Sequence, residues 1–170
     1  TNWIGKFLRQ ESLIKSGIGF DVHALADGET FIIGGVDIKS EKGSVGHSDG
    51  DALIHAIVDA ILGAAGLGDI GNLFPSKDDR WKNVDSKQFL SRTLKEIEKS
   101  SLEIVHIDST IILEKPNLAE YIPQMRYQIA YTLRVDETSV SVKATTTDKL
   151  GIIGKGEGVA AMAIATLSSI

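Results

Sequence analysis

The sequence contains no cysteine, and this absence narrows the chemistry open to the chain. Disulfides and thiolate metal sites are excluded, so any zinc site must be built from histidine and carboxylate side chains. Long hydrophobic runs are also missing, since no apolar stretch approaches the roughly 18–20 residues that a membrane span needs. We therefore expect no membrane partner.

An excess of positive charge is missing too, because the 170 residues carry a formal net charge of -5. The chain offers no basic patch for nucleic acid, so no nucleic-acid partner is expected. A strongly anionic ligand would need local Lys or Arg side chains, helix N-termini or bound cations. The length suits one domain with a sizeable core.

The first residues, 1–13, read TNWIGKFLRQESL and lack the apolar core of a secretory signal. We interpret them as an N-terminal extension, left either by a trimmed targeting peptide or by an added expression sequence. The functional domain is predicted to cover residues 14–170.

Hydrophobic periodicity predicts the order β-β-α-α-β-α-β-β, with the last element uncertain. The predicted strands are 17–23, 30–38, 103–114 and 138–144, the helices are 50–65, 86–100 and 118–134, and 159–167 is a buried strand or helix. Residues 39–46 and 151–158 are predicted loops. This pattern predicts one α+β domain, a mixed β-sheet with helices packed on one face.

The first strand contains a compact pair of candidate ligands. Asp21 and His23 lie two residues apart, so they share one face of the strand. The residues between and before them, Ile18, Phe20 and Val22, share the other face, which we predict to be the core side. The pair suits a divalent ion, or it forms a surface Asp–His hydrogen bond.

The first helix carries a row of ionisable groups. Ser48 is predicted to cap its N-terminus, with Asp51 three residues on. Asp51, His55 and Asp59 follow at spacings of four, so they share one face of a largely buried helix. Such groups are costly in an interior unless they are paired. Either His55 binds a metal ion or the row is a satisfied hydrogen-bonded network.

Combining strand and helix gives Asp21, His23 and His55 as a three-ligand set, and three ligands with an open fourth position are typical of catalytic zinc. At the end of a later strand, the stretch Thr145–Asp148 offers three hydroxyls and a carboxylate. These could bind phosphate and a metal, although Thr is also a common strand residue. Together the candidates favour metal-assisted phosphate chemistry.

Four stretches, GIGFDVH, GHSDGDALIHAIVDAILGAAGLGDIG, LFP and KATTTDKLGIIGKGEG, closely resemble the 2-C-methyl-D-erythritol 2,4-cyclodiphosphate synthase family of the non-mevalonate isoprenoid pathway. The resemblance runs from about residue 16 to the C-terminus. It implies a lyase that cyclises 4-diphosphocytidyl-2-C-methyl-D-erythritol 2-phosphate. The 2-phosphate attacks the phosphorus on the erythritol side of the diphosphate, CMP leaves, and the cyclic diphosphate forms.

The resemblance also assigns roles to residues. Asp21, His23 and His55 would bind zinc, Asp148 would bind Mg or Mn at the diphosphate, and His47 and Thr146 would stabilise the transition state. The implied substrate-binding set also includes Asp21, His23, His47, Thr146 and Asp148; its other members are Ser48, Asp69, Ile70, Gly71, Phe74, Pro75, Ser76, Lys77, Asp78, Leu113, Glu114, Lys115, Pro116, Asn117, Leu118, Ala119, Ala144, Thr145, Thr147, Ile152 and Lys155. Asp59 is our own addition, as a residue that supports the metal ligands.

The resemblance further implies a homotrimer, with the sheets facing the threefold axis and active sites between neighbouring subunits. It leaves open an isoprenoid diphosphate in the channel between subunits. The pathway suits the bacterial cytoplasm, which we favour, and also the plastid stroma.

Three positions depart from the family pattern. Asp148 stands where Glu is usual, which shortens the reach to the second ion. Ser76 replaces a common Asp and removes a charged contact to the erythritol hydroxyls. Lys155 replaces a common Arg and cannot bind a phosphate through a bidentate fork.

Two alternatives to the cyclase remain. A zinc-dependent phosphoesterase would admit water to the open metal position and yield an open-chain diphosphate. A non-catalytic trimer that binds metal or isoprenoid would bind ligand without releasing CMP.

Overall fold

A computed structural model describes residues 13–46, 48–75, 77–81 and 84–170 of the chain. Two predicted substrate-binding residues, His47 and Ser76, and nearly all of the predicted extension lie outside the described residues. The described strands are β1 (Ile14–Asp27), β2 (Ile32–Ile33), β3 (Val36–Asp37), β4 (Lys42–Val45), β5 (Leu102–Ile112), β6 (Val140–Thr145) and β7 (Gly158–Ser169).

Five of these strands form one mixed sheet in the order β4-β1-β7-β5-β6. The β5–β6 pair is parallel, and the other neighbouring pairs are antiparallel. Strands β2 and β3 make a separate hairpin. The predicted mixed sheet is therefore confirmed.

The described helices are α1 (Ala52–Ala65), α2 (Ile70–Leu73), α3 (Lys87–Lys99), α4 (Ile122–Leu133) and α5 (Gly151–Gly154). The three long helices, α1, α3 and α4, contribute buried side chains to the same core cluster as the sheet. The predicted α+β domain is confirmed. Across the described ranges, no helix has both the length and the apolar character that crossing a bilayer requires.

Helix α1 packs closely against β1 because both elements carry small residues at the contact. A β-carbon added at Gly19 would lie 2.8 Å from the Ala60 nitrogen and 2.9 Å from the Ala56 carbonyl carbon. Gly17 faces Ala60 and Ala64 just as closely. Only glycine permits such an approach of two backbones. This packing sets the distance between the side chains of β1 and those of α1.

The prediction of which β1 face is buried was wrong. Ile18, Phe20 and Val22 are 65%, 57% and 46% exposed in the single chain. Asp21 and His23 lie on the opposite face, which α1 covers. The predicted alternation is correct, but glycines at 17 and 19, rather than large apolar residues, supply the surface against which the helix packs.

Several predicted boundaries also change. The predicted strand 30–38 is a hairpin that turns at Gly34 and Gly35, whose φ angles are 62° and 71°. This left-handed pair is typical of the tight turn between two antiparallel strands. The predicted loop 39–46 contains β4, the predicted loop 151–158 contains α5, and the uncertain last element is the strand β7. The helix predicted from residue 118 begins at Ile122, with Pro123 in its first turn as expected.

Candidate metal and substrate site

Asp21, His23 and His55 converge on one point between β1 and α1. One possible ligand atom from each residue lies within 4.8 Å of the others. The Asp21 carboxylate oxygen Oδ2 lies 2.9 Å from His23 Nδ1 and 3.0 Å from His55 Nδ1. Strand alternation places the first two side chains on the face that meets α1, and the second turn of α1 supplies the third.

The chemistry of this cluster fits a divalent cation. His23 Nδ1 is buried and makes no hydrogen bond to any residue that the structure describes, although Asp21 is close. A buried polar atom without a partner is costly, and a bound cation would satisfy it. Two imidazole nitrogens and one carboxylate oxygen form a donor set that suits zinc.

The electrostatics of the cluster favour a positive charge there. Burial raises the pKa of Asp21, but the close imidazoles of His23 and His55 outweigh burial and leave that pKa well below its usual value. Burial lowers the pKa of His55, and the hydrogen bond to Asp21 outweighs it and raises the net value. Asp21 therefore stays ionised and available as a ligand across the physiological range.

Asp51 has a structural role at the start of α1, so the prediction of Ser48 as the helix cap was wrong. Asp51 is itself the N-cap and accepts a bond from Ile54 N at 3.0 Å. It also accepts bonds from Gly34 N at 2.9 Å and Gly35 N at 2.6 Å. Burial raises its pKa to about 6, although the backbone bonds oppose this. These contacts join the β2–β3 turn to the helix that carries His55.

The other polar residues of the predicted row and loop have separate partners. Asp59 accepts a bond from Ile70 N at 2.7 Å, so its described bond supports α2 rather than a metal ligand. Asp69 caps α2 by accepting from Asn72 N at 2.8 Å. Ser48 places its Oγ 3.1 Å from His55 Nε2, beside the cluster. The three residues predicted to form one row therefore have different roles: Asp51 caps α1, His55 belongs to the metal cluster, and Asp59 supports α2.

An open groove of about 1030 Å³ lies where β5 and β6 end. The predicted substrate-binding residues on its lining are Leu113, Glu114, Lys115, Pro116, Asn117, Leu118, Ala144, Thr145, Thr146 and Lys155. The neighbouring Ala119 donates its backbone N–H to Asn117 Oδ1 at 2.8 Å, which holds the loop in shape. The structure therefore places residues from two distant segments around one groove.

Part of this groove was not predicted from the sequence. Lys39, Ser40, Glu41 and Lys42 also line it, within the stretch 39–46 that was predicted to be a polar loop. Lys42 Nζ donates to the Gly156 carbonyl oxygen at 3.0 Å and so joins two walls. The available signal was a pair of lysines in an acidic chain, directly before the motif that contains Asp51.

The turn after β6 holds the proposed second-ion ligand. Asp148 is exposed, its Oδ1 lies 3.4 Å from Thr146 Oγ1, and its backbone φ is 52°. Thr147 donates its hydroxyl to the Leu150 carbonyl oxygen at 2.7 Å, which closes the turn. Ile152 is 58% exposed on α5 just beyond it. These side chains are accessible to a ligand, except that the Thr147 hydroxyl is already bonded.

The predicted phosphate loop after α2 is anchored by aromatic packing. Ile70 and Gly71 lie in α2, and Phe74 is buried against Trp81, with ring centroids 5.1 Å apart. Beyond it, Pro75 and Lys77 are exposed and Asp78 pairs with Arg80. Phe74 therefore anchors the start of the loop, and Pro75 and Lys77 are accessible.

The structure does not bring all the predicted site residues together within one chain. In the sheet register, Asp21 pairs with Ala161, Ala161 with Ile111, and Ile111 with Ala144. Three strand spacings therefore separate Asp21 from Ala144, about 14 Å at the usual spacing between neighbouring strands. The metal cluster and the turn after β6 are distinct regions of the monomer.

The chain is an α+β domain with a mixed sheet, a cluster of two histidines and one carboxylate, and an open groove. These features place it in the class of proteins that have a candidate catalytic metal centre. The chain belongs to the YgbB family, whose profile matches residues 14–168. A relative from Alkaliphilus oremlandii, named 2-C-methyl-D-erythritol 2,4-cyclodiphosphate synthase, is 52% identical over 154 residues, which cover 91% of this chain and 98% of that protein. The family predicted from the sequence is confirmed.

Solved structures support the same family assignment. The bifunctional IspDF from Campylobacter jejuni superposes with a TM-score of 0.90 at 41% identity, over 94% of this chain. This chain spans 43% of that longer protein. The IspF of Plasmodium falciparum, solved as a CDP complex, superposes with a TM-score of 0.81 at 34% identity, over 92% of this chain and 96% of that one.

Proposed function

We propose that this chain cyclises 4-diphosphocytidyl-2-C-methyl-D-erythritol 2-phosphate to 2-C-methyl-D-erythritol 2,4-cyclodiphosphate and releases CMP. Family membership and the names of the relatives confirm the predicted enzyme class, a cyclodiphosphate synthase of the isoprenoid pathway. The observation that carries the proposal for this chain is the convergence of Asp21, His23 and His55 within 4.8 Å.

The chain's contribution to the reaction is positioning, because the substrate carries its own nucleophile, the 2-phosphate. Holding that phosphate against the diphosphate makes the attack intramolecular, which contributes roughly 7–11 kcal/mol in favourable cases. Asp21, His23 and His55 would hold zinc, which supplies Lewis-acid polarisation of a phosphoryl oxygen when bound. No covalent intermediate with the protein is needed.

The cytidine end of the substrate is assigned to the groove. The segment from Leu113 to Leu118 lines one side of the groove, and Ala144 and Thr145 line another. A CDP complex of a relative with the same fold supports a cytidine nucleotide as the ligand class. Thr146 faces the same groove, where its hydroxyl would donate to the phosphate that leaves with CMP.

The second cation, Mg or Mn, is assigned to Asp148 at the diphosphate. Its exposed carboxylate lies next to the Thr146 hydroxyl, so both can reach one phosphate group. Lys155 on the groove wall would add positive charge as a single point contact. Local cations of this kind offset the net charge of -5 of the chain.

We propose that the chain works as a trimer whose sheets face the threefold axis. Ile18 pairs with Ile164 and Phe20 with Met162 in the sheet register, and all four side chains are 44–65% exposed in the single chain. A contiguous apolar patch of this kind is typical of a surface that another subunit covers. Within one chain, Asp21 of the metal cluster and Ala144 of the groove are about 14 Å apart across the sheet. In the trimer, the groove of a neighbouring subunit would lie next to the metal cluster.

Two further assignments follow from the pathway. An isoprenoid diphosphate would fit an apolar channel lined by the exposed sheet faces of the trimer. The cytoplasm is the favoured compartment, and the plastid stroma is the alternative.

The decisive experiment incubates the protein with the cytidylated substrate, Zn and Mg and follows the reaction by phosphorus NMR. The proposal expects CMP together with a cyclic diphosphate. An open-chain diphosphate would identify a phosphoesterase instead, and binding without CMP release would identify a non-catalytic protein. Analytical ultracentrifugation of the same sample tests the trimer, and a monomer at working concentration would exclude a site between subunits.

A further inference from the structure

Ser86 has an unusual position for a serine that precedes a helix. It stands directly before α3, where a serine hydroxyl commonly caps the free N–H groups of the helix. Here the hydroxyl makes no cap bond, and the side chain is fully buried. The Ser86 hydroxyl instead lies between Asp49 and His55. The buried Ser86 hydroxyl therefore has a hydrogen-bonding role other than capping α3.

Asp49 determines where the Ser86 proton points. Its carboxylate accepts the backbone N–H of Ser86 at 2.8 Å, and a second bond comes from Asp51 N at 3.2 Å. The Ser86 hydroxyl forms a short third bond to the same carboxylate. An ionised carboxylate can only accept hydrogen bonds, so the hydroxyl must donate to Asp49.

The direction of that bond fixes the proton on the imidazole. Ser86 Oγ lies 3.0 Å from His55 Nε2, and its only proton already points toward Asp49. The serine oxygen can therefore only accept, so Nε2 must carry the N–H. In a neutral imidazole the other nitrogen, Nδ1, then keeps its lone pair. In the structure Nδ1 lies 3.0 Å from Asp21 Oδ2, so without a cation it carries a proton that it donates to Asp21, and a bound cation would replace that proton.

We propose that the Asp49–Ser86 pair selects the tautomer of His55 that binds the divalent cation. Both are positioning residues, because neither touches the cation position itself. Metal-binding histidines commonly donate their second N–H to a partner that fixes ring and tautomer. The inference deepens the proposed function and depends on its metal site.

Ser48 is a rival partner for the same nitrogen. Its Oγ lies 3.1 Å from His55 Nε2, but no residue that the structure describes fixes its proton by accepting it. A hydroxyl with a free rotor can donate or accept, so it does not select a tautomer. The carboxylate behind Ser86 distinguishes the two serines.

The test compares zinc affinity, measured by competition with a chromophoric chelator, in three variants. Ser86→Ala removes the acceptor, and zinc affinity is expected to fall about 10–100-fold. Asp49→Asn keeps the shape but places an amide N–H against the Ser86 hydroxyl, which then donates to His55 and favours the wrong tautomer. The same loss is expected. The control is Thr93→Val on α3, which removes another buried hydroxyl far along the same helix and should leave affinity unchanged.

Nitrogen NMR of His55 supplies a readout that lost packing would not mimic. Zinc-loaded wild type is expected to show the N–H on Nε2, and Asp49→Asn is expected to lower the share of metal-free His55 that carries a proton on Nε2. Unchanged zinc affinity and tautomer in both variants would overturn the inference while leaving the metal site intact. A wild type that binds no zinc would overturn the metal site, and this inference with it.

Discussion

Gly19→Ala is the substitution that most directly tests how the fold builds the metal cluster. The added methyl carbon would lie 2.8 Å from the Ala60 nitrogen and 2.9 Å from the Ala56 carbonyl carbon, with the Ala56 oxygen closer still. Ordinary contacts begin near 3.4 Å. Because all three atoms belong to the backbone, no side-chain rotation relieves the overlap, and α1 must move away from β1.

The expected cost follows from this geometry. Overpacking a well-packed core typically costs about 1–3 kcal/mol, and a clash against backbone places this variant at about 3 kcal/mol. Gly19 lies two residues before Asp21, and Ala56 follows His55 directly, so lifting α1 separates the two ligands. If about 1.4 kcal/mol of the strain is expressed at the cluster, zinc affinity falls about tenfold.

Urea unfolding of metal-free protein at fixed concentration measures the first effect, and zinc competition measures the second. Gly63→Ala is the matched control on α1, because its new carbon would meet only the Ile18 carbonyl oxygen at 3.9 Å. Gly63→Ala should stabilise the protein by about 0.5–1 kcal/mol, since alanine is the better helix former. A Gly19→Ala protein within about 0.5 kcal/mol of wild type, with unchanged zinc affinity, would refute the reasoning.

Three further substitutions test single residues. His55→Ala should remove the zinc and most activity, because two ligands remain; full metal content by elemental analysis would contradict the assignment. Asp148→Ala should leave zinc bound but cripple turnover, since only the second cation is lost; normal turnover in saturating Mg would argue against that role. Asp51→Asn should cost about 1–3 kcal/mol in urea unfolding, because its amide must face a backbone N–H such as that of Gly35. Exposed Asp37→Asn is the control, and equal stability of the two variants would count against the buried cap.

The candidate metal cluster could be predicted because the position of each of its residues depends on a local rule. Alternation in a strand places Asp21 and His23 on one face whichever face is buried. The helical period places His55 near the start of a long apolar helix, on the face that also carries Asp51 and Asp59. What the sequence could not supply was the crossing of α1 over β1, which depends on glycines that pack against alanines far along the chain.

The error about the buried face of β1 has a physical cause. Ile18, Phe20 and Val22 were predicted to be core residues because exposing large apolar side chains to water is energetically costly. The rule that apolar residues are buried holds for the assembly that actually forms, and here the partner surface is proposed to be another subunit. A single sequence can indicate that an apolar strand face is suited to burial, but it does not indicate whether a helix of the same chain or another subunit covers that face.

Side-chain hydrogen bonds were predicted least well. The pattern around Ser48 and Asp51 favoured the first as the cap, but the fold uses Asp51, because its carboxylate also reaches the turn at Gly34. No role was predicted for Ser86, whose partner Asp49 lies 37 residues earlier in the sequence. Contacts of this range have no periodic signal, so only the folded backbone reveals them.

The turn after β6 shows how a departure from the family pattern can follow from local geometry. Asp148 and Lys149 both have positive φ, at 52° and 66°, in the left-handed region that side chains rarely occupy. Aspartate is several-fold enriched in that region, because its short polar side chain bonds locally, whereas glutamate is not. The shorter carboxylate has one methylene less of reach toward the proposed second cation, but it lowers the strain of the backbone that presents it. Aspartate at position 148 therefore favours a stable turn at the expense of the reach of its carboxylate. We expect its contact with the proposed second cation to be weaker than that of a glutamate.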